Sequence, residues 1–308
     1  MPPAERPVQA VRAIASIVVA MFLFTVLDAL VKLLAARGYS TWQLVFCRSL
    51  FSFAVLLPLV HAQGGARALA TTRPLQHLGR AATGMAALWC WFYSYRQIPL
   101  ADAYALSFSA PLFMTVLSVP LLGEHVGAHR WAAVLVGLCG VLIMVQPGSG
   151  VFDPSALWVL LAAVLYALAI IQIRGLGASE TTLRIVFYFT LLCTVVSAAS
   201  LPFTGRWPQS WDDGVLLVAI GLLGGFAQLC MTDAYRRAPI SIVAPFDYTA
   251  MLWAVLLGMA LFDDRPGWPV LLGAAVVIAS GLYILHRESV RKAGLRNRPV
   301  PAPAAPRG

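Results

Sequence analysis

Four of the ionisable residues inside long apolar stretches of the sequence could take part in binding: Asp28, Lys32, Arg48 and Asp247. Holding a charge among apolar residues is costly, so each of them is a candidate to bind a substrate, an ion or a proton. Asp28 and Lys32 are four residues apart and share one helical face. We expect one of two arrangements: an ion pair between them, or an Asp28 that binds a cation or proton beside a Lys32 that holds an anionic group.

Arg48 and Asp247 point to opposite kinds of ligand. The planar guanidinium of Arg48 suits a carboxylate or a phosphate, supplied either by Asp28 or by a substrate. Asp247 follows Pro245 by two residues. Because proline removes a helical hydrogen bond, we predict a free carbonyl near this carboxylate and a role for Asp247 in proton or cation handling. The alternative is an ion pair between Asp247 and Arg236 or Arg237.

Aromatic side chains concentrate in four of the apolar stretches and indicate the wall of a binding cavity. A wall of this kind suits a flat heteroaromatic ring or a cation. Ordinary packing between helices is the alternative for any single ring. The residues that we expect to line the cavity are Trp89, Tyr93, Tyr104, Phe108, Tyr248 and Trp253, with Gln228 as a hydrogen-bonding group.

No pattern in the sequence predicts a catalytic, metal or cofactor site. Walker, HExxH and GxSxG motifs are absent, and the five cysteines lie in apolar runs without a CxxC pair. Glu124, His125 and His129 fall in a basic turn, which we interpret as a solvated loop rather than a zinc site. We therefore expect neither an enzyme nor a bound cofactor or metal.

The composition requires a membrane environment. Of the 308 residues, 60% are hydrophobic and 11% are charged, whereas soluble domains carry roughly 25% charged residues. At roughly 20 residues per spanning helix, the chain has room for about ten spans with short loops and none for a separate soluble domain. The composition predicts an all-α, multi-pass membrane protein.

Ten spans can be drawn between charged, proline and glycine residues. An even number places both termini on one side, which the basic C-terminal tail, expected to be disordered over residues 289–308, indicates is cytoplasmic. Sixteen of the 22 Lys and Arg residues, Arg80 among them, then lie in cytoplasmic segments, five lie in outer segments and Arg48 lies in a span. The predicted spans cover residues 12–36, 41–61, 76–95, 99–122, 129–146, 154–174, 181–202, 212–235, 240–262 and 268–286.

The net charge of +9 is thereby interpreted as an orientation signal, and no nucleic-acid partner is expected. The predicted spans contain one positive charge, that of Arg48, and four negative charges, those of Asp28, Asp102, Asp233 and Asp247. We therefore predict a net acidic interior, which favours a substrate that is cationic, zwitterionic or coupled to protons.

The chain contains an internal repeat. Shifting the sequence on itself by 140 residues aligns the third and fourth spans with the eighth and ninth, and Phe108 with Tyr248. Five spans are an odd number, so the second copy must insert with the opposite orientation. We predict two inverted five-helix repeats, residues 1–149 and 150–288. The most specific matches set Gly84, Cys90, Tyr95, Arg96 and Pro99 on Gly224, Cys230, Tyr235, Arg236 and Pro239.

Residues 99–148 resemble the half-motif of EamA-type carriers of the drug/metabolite transporter superfamily. The matching elements are small residues at Ala101, Ala103 and Ala105, then Pro111, the Leu-Gly-Glu at 122–124 and the glycine-containing run 137–142. The second half departs from this motif at residues 263–264, where two aspartates replace Leu-Gly-Glu, and Pro245 has no counterpart in the fourth span.

The resemblance covers nearly the whole chain and implies two inverted bundles around a central cavity. It places spans 3, 4, 8 and 9 at the cavity, spans 1, 2, 6 and 7 beside it, and spans 5 and 10 at the periphery. The first span together with QLVFCRSL at 43–50 is similar to bacterial branches that include riboflavin and S-adenosylmethionine carriers.

We therefore expect a secondary transporter in the bacterial cytoplasmic (inner) membrane that moves a small polar metabolite, amino-acid-, vitamin- or nucleoside-like, by alternating access. Coupling to protons through Asp28 or Asp247, exchange and facilitated diffusion all remain open. The expected partners are the substrate, protons and the lipid bilayer, and a homodimer is left open. The alternatives are a lipid flippase or a membrane sensor without transport, with a membrane-embedded enzyme less favoured.

Overall fold

A computed structural model describes residues 5–122, 128–146, 153–177, 179–238 and 243–296. Helices account for 85% of the structure, and the described residues contain no strand. Glu124 and His125, the first residues of the predicted ninth span (240–242) and the end of the tail (297–308) lie outside the described residues.

The first half of the chain folds into six helices. The predicted fourth span consists of two helices, α4 and α5, separated at Phe108 and Ser109. Pro111 explains the break, because it has no N–H to donate to the carbonyl of Ser107. The helices are α1 (Glu5–Ala36), α2 (Thr41–Ala62), α3 (Pro74–Ser94), α4 (Leu100–Ser107), α5 (Ala110–Leu122) and α6 (Ala128–Val145), with a 3-10 turn at Gly65–Leu69.

The second half repeats this layout with one extra short helix. Its break lies at the matching place, because a 3-10 turn, Ala244–Tyr248, precedes α11. The last helix continues to Arg296 and so includes the first residues of the tail that we expected to be disordered. The helices are α7 (Ala156–Gly177), α8 (Thr182–Ala198), α9 (Leu201–Thr204), α10 (Trp211–Arg237), α11 (Thr249–Phe262) and α12 (Trp268–Arg296).

Side-chain caps fix where several helices begin. Ser40 accepts a hydrogen bond from the backbone N–H of Gln43 at 3.2 Å and so caps α2. Thr181 caps α8 in the same way at 3.3 Å, and Ser210 caps α10 at 3.1 Å. Each cap satisfies an N–H that the helix itself leaves without a partner.

The apolar helices identify a multi-pass membrane protein. Among the described residues, five segments are long and apolar enough to cross a bilayer: 11–36, 41–62, 100–117, 156–177 and 211–237. Four shorter apolar segments lie at 131–145, 182–198, 246–262 and 268–283. The helix α3 belongs to neither group and carries His77 and Arg80.

The helices pack in a pattern with two-fold symmetry. The contact of α1 with α10 has its counterpart in the contact of α3 with α7, and that of α2 with α10 has its counterpart in α3 with α8. Two further contacts, α2 with α8 and α6 with α12, join equivalent helices directly. The repeat found in the sequence thus reappears as symmetric packing.

Glycine allows the closest of these approaches. A Cβ atom on Gly140 of α6 would lie 2.9 Å from the carbonyl oxygen of Gly273 and 2.9 Å from a methyl group of Val277, both on α12. Contacts this short require the two helices to move apart. Gly175 at the end of α7 has no atom within 4 Å of its Cβ position.

Gly140→Ala is therefore expected to destabilise the protein by about 1–3 kcal/mol through overpacking. Gly175→Ala, the control, should be neutral or stabilising by about 0.5–1 kcal/mol, because alanine is the better helix former. The measurement is the apparent melting temperature in detergent. Equal melting temperatures for the two variants would contradict the described α6–α12 contact.

Candidate substrate-binding cavity

A central cavity of about 190 Å³ lies between the two halves of the molecule. Its wall is formed by α1, α2, α3, both pieces of the broken fourth span, α7, α8, α10, the 3-10 turn before α11 and the start of α11. Most of the lining is aromatic or small and apolar. Five side chains with charged or amide groups interrupt it: Asp28, Arg48, Arg80, Gln228 and Asp247.

Asp28 is buried and held by two donors from different helices. The hydroxyl of Tyr104 donates to its Oδ2 atom at 2.6 Å, and Nε1 of Trp91 donates to the same oxygen at 3.0 Å. Only 3% of Asp28 is exposed. The carboxylate therefore links α1 to α3 and α4 at the cavity wall.

The predicted ion pair between Asp28 and Lys32 is wrong. Lys32 instead pairs with Asp264, which follows α11 in the second half, and its ammonium lies 4.7 Å from the ring centroid of Phe262. Asp264 also accepts a hydrogen bond from the backbone N–H of Leu100 at 3.4 Å. Lys32 thus lies outside the cavity, because one helical turn beyond Asp28 it reaches the end of the bundle, where the second half supplies a carboxylate.

Polar contacts join the helices at the end of the bundle that contains Lys32. We call this end the Lys32 face and define it by Lys32, Arg37, Tyr39, Asp213 and Asp264. Asp213 accepts from Arg37 at 2.5 Å and from the hydroxyl of Tyr39 at 2.8 Å. Burial and this bond to Asp213 both raise the pKa of Tyr39. The first and second halves are therefore tied together by charge at this face.

The opposite end, which we call the Glu180 face, is defined by Glu180, Arg184, Asp233 and Arg237. Glu180 accepts from Arg184 and, at 2.7 Å, from the hydroxyl of Thr71. Burial alone would raise the pKa of Glu180, but these two donors hold it below its usual value. Asp213 of the Lys32 face lies near the start of α10, and Arg237 of the Glu180 face lies at its end. At 1.5 Å per residue, the two faces are roughly 36 Å apart.

Asp247 lies in the 3-10 turn before α11 and lines the cavity. The hydroxyl of Tyr235 donates to its Oδ2 atom, while its buried Oδ1 atom has no hydrogen-bond partner among the described residues. The alternative pairing of Asp247 with Arg236 or Arg237 is wrong, because Arg237 pairs with Asp233 and Arg236 donates to Thr182. Asp247 keeps one carboxylate oxygen for another partner.

Arg48 and Arg80 lie together on the cavity wall beside Phe189. The Cζ atom of Arg80 is 4.2 Å from the Phe189 ring centroid, and that of Arg48 is 5.8 Å away. Arg48 also donates to Oε1 of Gln228 over a long 3.4 Å. Arg48 and Asp28 do not form an ion pair with each other.

The assignment of Arg80 to a cytoplasmic segment, and with it the predicted net acidic interior, is wrong. Arg80 is 3% exposed and lines the cavity. Asp233 instead forms an ion pair at the Glu180 face, and Asp102 is not part of the cavity wall. Two carboxylates, Asp28 and Asp247, therefore face two guanidinium groups, and the formal charges in the cavity balance.

Three of the six aromatic rings predicted for the cavity wall lie on it. Tyr104, Phe108 and Tyr248 line the cavity, and Phe108 meets its repeat-equivalent Tyr248 edge to face with the ring centroids 4.9 Å apart. Because repeat-equivalent residues touch only near a symmetry axis, this pair lies near the axis that relates the two repeats. Gln228 also lines the cavity, as predicted.

Trp89, Tyr93 and Trp253 do not line the cavity. Trp89 stacks on Tyr93 with the centroids 5.0 Å apart, and both rings pack against Trp158. Trp253 instead packs on Phe22 at 5.0 Å. Trp91, two residues from both Trp89 and Tyr93, lies roughly 200° around the helix from each, and it is Trp91 that faces the cavity.

Sequence reasoning missed Arg80, Trp91 and Phe189. A usable signal was present on α3, because Arg80, Gly84, Leu88 and Trp91 recur at spacings of four, four and three and so share one helical face. All four line the cavity. The repeat-matched Gly84 would have identified that face.

Tyr104→Phe is expected to lower the apparent melting temperature by several degrees. The substitution removes a donor to a buried carboxylate, and such bonds contribute about 1.5–3 kcal/mol. Tyr283→Phe is the matched control, because Tyr283 is exposed on α12. Equal effects of the two substitutions in detergent would show that Asp28 does not depend on Tyr104.

The chain matches known transporters along most of its length. A family model described as the EamA-like transporter family matches residues 11–146 and again residues 153–286. A solved crystal structure superposes with a TM-score of 0.61 at 18% identity, covering 89% of this chain and 98% of that chain, which shows a shared fold.

Three curated relatives carry the names of transporters. The chain is 29% identical to an S-adenosylmethionine uptake transporter of Rickettsia prowazekii over 85% of this chain and 88% of that protein. It is 30% identical to a riboflavin transporter of Vibrio cholerae over 80% and 83%. It is 31% identical to a pseudopaline exporter of Pseudomonas aeruginosa over 85% and 92%. The chain therefore belongs to the EamA-like transporter family of small-metabolite transporters.

Proposed function

We propose that this protein is a secondary transporter that carries a small polar organic metabolite through its central cavity by alternating access. One observation carries the proposal: the cavity lies where the two repeats meet, and the repeat-equivalent Phe108 and Tyr248 touch each other in its wall. Sites between inverted repeats, lined by broken helices, are the usual architecture of such carriers.

The proposed topology has ten spans, in two five-helix repeats of residues 1–149 and 150–288, with the Glu180 face in the cytoplasm of a bacterial cell. The fourth span is the pair α4 and α5, and the ninth is the 3-10 turn with α11. The excess of Lys and Arg in segments at the Glu180 face supports this orientation, even with Arg80 moved into the cavity. Both termini then lie on the cytoplasmic side of the inner membrane.

The ion pair between Lys32 and Asp264 has the position of an outer gate. It joins α1 to the segment after α11, and Asp264 also binds the start of α4. The outer ends of both repeats are thereby drawn together beyond Asp28. Opening the cavity to the outside would require this pair to separate.

Asp28 and Asp247 are the proposed sites of coupling to protons. Both line the cavity, each carboxylate accepts from a tyrosine, and they come from different repeats. A carboxylate in such a site can bind either a proton or a cationic group of the substrate, but not both at once. Competition of this kind would couple substrate movement to proton movement.

The relatives indicate the substrate class. S-adenosylmethionine, riboflavin and pseudopaline appear in the names of proteins that match four-fifths or more of this chain. The aromatic and polar lining of the cavity suits metabolites that combine a ring system with charged or hydrogen-bonding groups. We propose a metabolite of this class as the cargo.

Uptake by proteoliposomes tests this function. Radiolabelled S-adenosylmethionine and riboflavin are offered with and without an imposed pH gradient, and the wild-type protein should concentrate at least one of them. Asp28→Asn and Asp247→Asn should each reduce the gradient-driven rate by roughly 10-fold or more, since a coupling group in the transport cycle is lost. Asp212→Asn is the control, because Asp212 is exposed at the start of α10.

Two outcomes would contradict the account. Wild-type proteoliposomes that take up neither compound faster than empty liposomes would argue against this cargo class. Uptake driven by the pH gradient and unchanged in both Asp28→Asn and Asp247→Asn would remove the proton-coupling role.

A further inference from the structure

The two arginines of the cavity are charged groups without a counter-ion. Arg48 is 4% exposed and Arg80 is 3% exposed. None of the ion pairs formed among the described residues includes either of them. A buried charge without a partner is costly, and proteins rarely keep two side by side unless something binds there.

Several nitrogen donors of these arginines and of the neighbouring Gln228 also lack a hydrogen-bond partner among the described residues. Buried nitrogen atoms without a hydrogen-bond partner among the described residues include Nε of Arg48, Nε and Nη1 of Arg80, and Nε2 of Gln228. All three side chains line the cavity. Several N–H donors and two positive charges at one wall are the chemistry that recognises an oxyanion.

The repeat itself makes room for these side chains. A Cβ atom on Gly84 would lie 2.7 Å from Nη1 of Arg80, and one on Gly224 would lie 3.2 Å from Nε of Arg48. Gly84 and Gly224 are the matched glycines of the two repeats. Each repeat therefore contributes a glycine that lets one guanidinium lie against the wall, and Phe189 supports both.

The carboxylate of Asp28 lies at a distance from Arg80. Arg80 and Trp91 are eleven residues apart on α3, which is roughly 16 Å along a helix, and Trp91 is the residue that binds Asp28. Arg80 therefore lies nearer the Glu180 face than Asp28 does, and Asp247, held by Tyr235 near the end of α10, lies on that same side.

From this arrangement we propose that Arg48, Arg80 and Gln228 form an anion subsite that binds a carboxylate or phosphate group of the transported metabolite. The inference rests on the proposed transport function and narrows its substrate class to metabolites with an oxyanion. Asp28 would face the opposite end of the same molecule. A zwitterion fits this cavity better than a simple cation.

Binding of matched ligand pairs to the detergent-purified protein tests the subsite. One pair is S-adenosylmethionine and its decarboxylated counterpart, and the other is flavin mononucleotide and riboflavin. The first pair differs by a carboxylate and the second by a phosphate, so the two pairs separate the two oxyanions. Equilibrium dialysis should show that, in at least one pair, the anionic member binds roughly 10-fold or more tighter.

Arg48→Gln and Arg80→Gln should reduce this preference to within roughly threefold, because each removes one charge-assisted contact. Arg73→Gln is the matched control, since Arg73 is exposed just before α3 begins, and it should keep the preference. No preference in either pair for the wild-type protein would overturn the subsite. So would a preference that survives in both cavity variants.

A second measurement separates binding from a structural role. Arg80→Met replaces an unpaired buried charge with an apolar side chain of similar length, so the ligand-free melting temperature should stay the same or rise. A fall of many degrees would mean that Arg80 supports the fold, and would overturn its role in binding.

Flux in proteoliposomes keeps this inference distinct from the proposed function. Transport of the anionic pair member that is unaffected by Arg48→Gln and Arg80→Gln would leave the transporter intact and remove the subsite. Tight binding of the anionic member, lost in both variants but accompanied by no flux, would leave the subsite intact and remove the transport function.

Discussion

The cost of holding charges in an apolar interior shapes this molecule. Asp28, Asp247, Arg48 and Arg80 all line one cavity, and their formal charges cancel without a direct ion pair between them. Aromatic donors hold the carboxylates, and Phe189 supports the guanidinium groups. Charges that are balanced but not neutralised in pairs stay available to a ligand.

Duplication supplies the backbone that holds these charges. Phe108 lies at the break between α4 and α5, and Tyr248 ends the 3-10 turn before α11, so irregular backbone in each half lies where it lines the cavity. The two halves are joined at both faces by different contacts. The Lys32 face includes an ion pair between the halves, and at the Glu180 face Thr71 of the first half donates a hydrogen bond to Glu180 of the second.

Much of the fold could be predicted from composition, charge bias and the 140-residue repeat, because these depend on the whole chain. Individual side-chain directions could not. Lys32 is one turn from Asp28, yet its partner is Asp264, more than 230 residues away, and no local pattern identifies it. Arg80 looked like a loop charge because it lies near the start of a helix, although its helical face points into the cavity. Trp89 and Trp91 lie on nearly opposite sides of α3. The packing of α3 against α7 and α8 decides which of these sides faces the cavity.

Alternating access is the central claim, and pulsed electron paramagnetic resonance distances across the two faces test it most directly. One spin-label pair replaces the exposed Arg96 and Arg265 at the Lys32 face, and another replaces the exposed Arg73 and Arg236 at the Glu180 face. The account predicts two distance populations at each face, with conditions that lengthen one distance shortening the other. A single unchanged distance at both faces during active transport, or changes in the same direction, would contradict it.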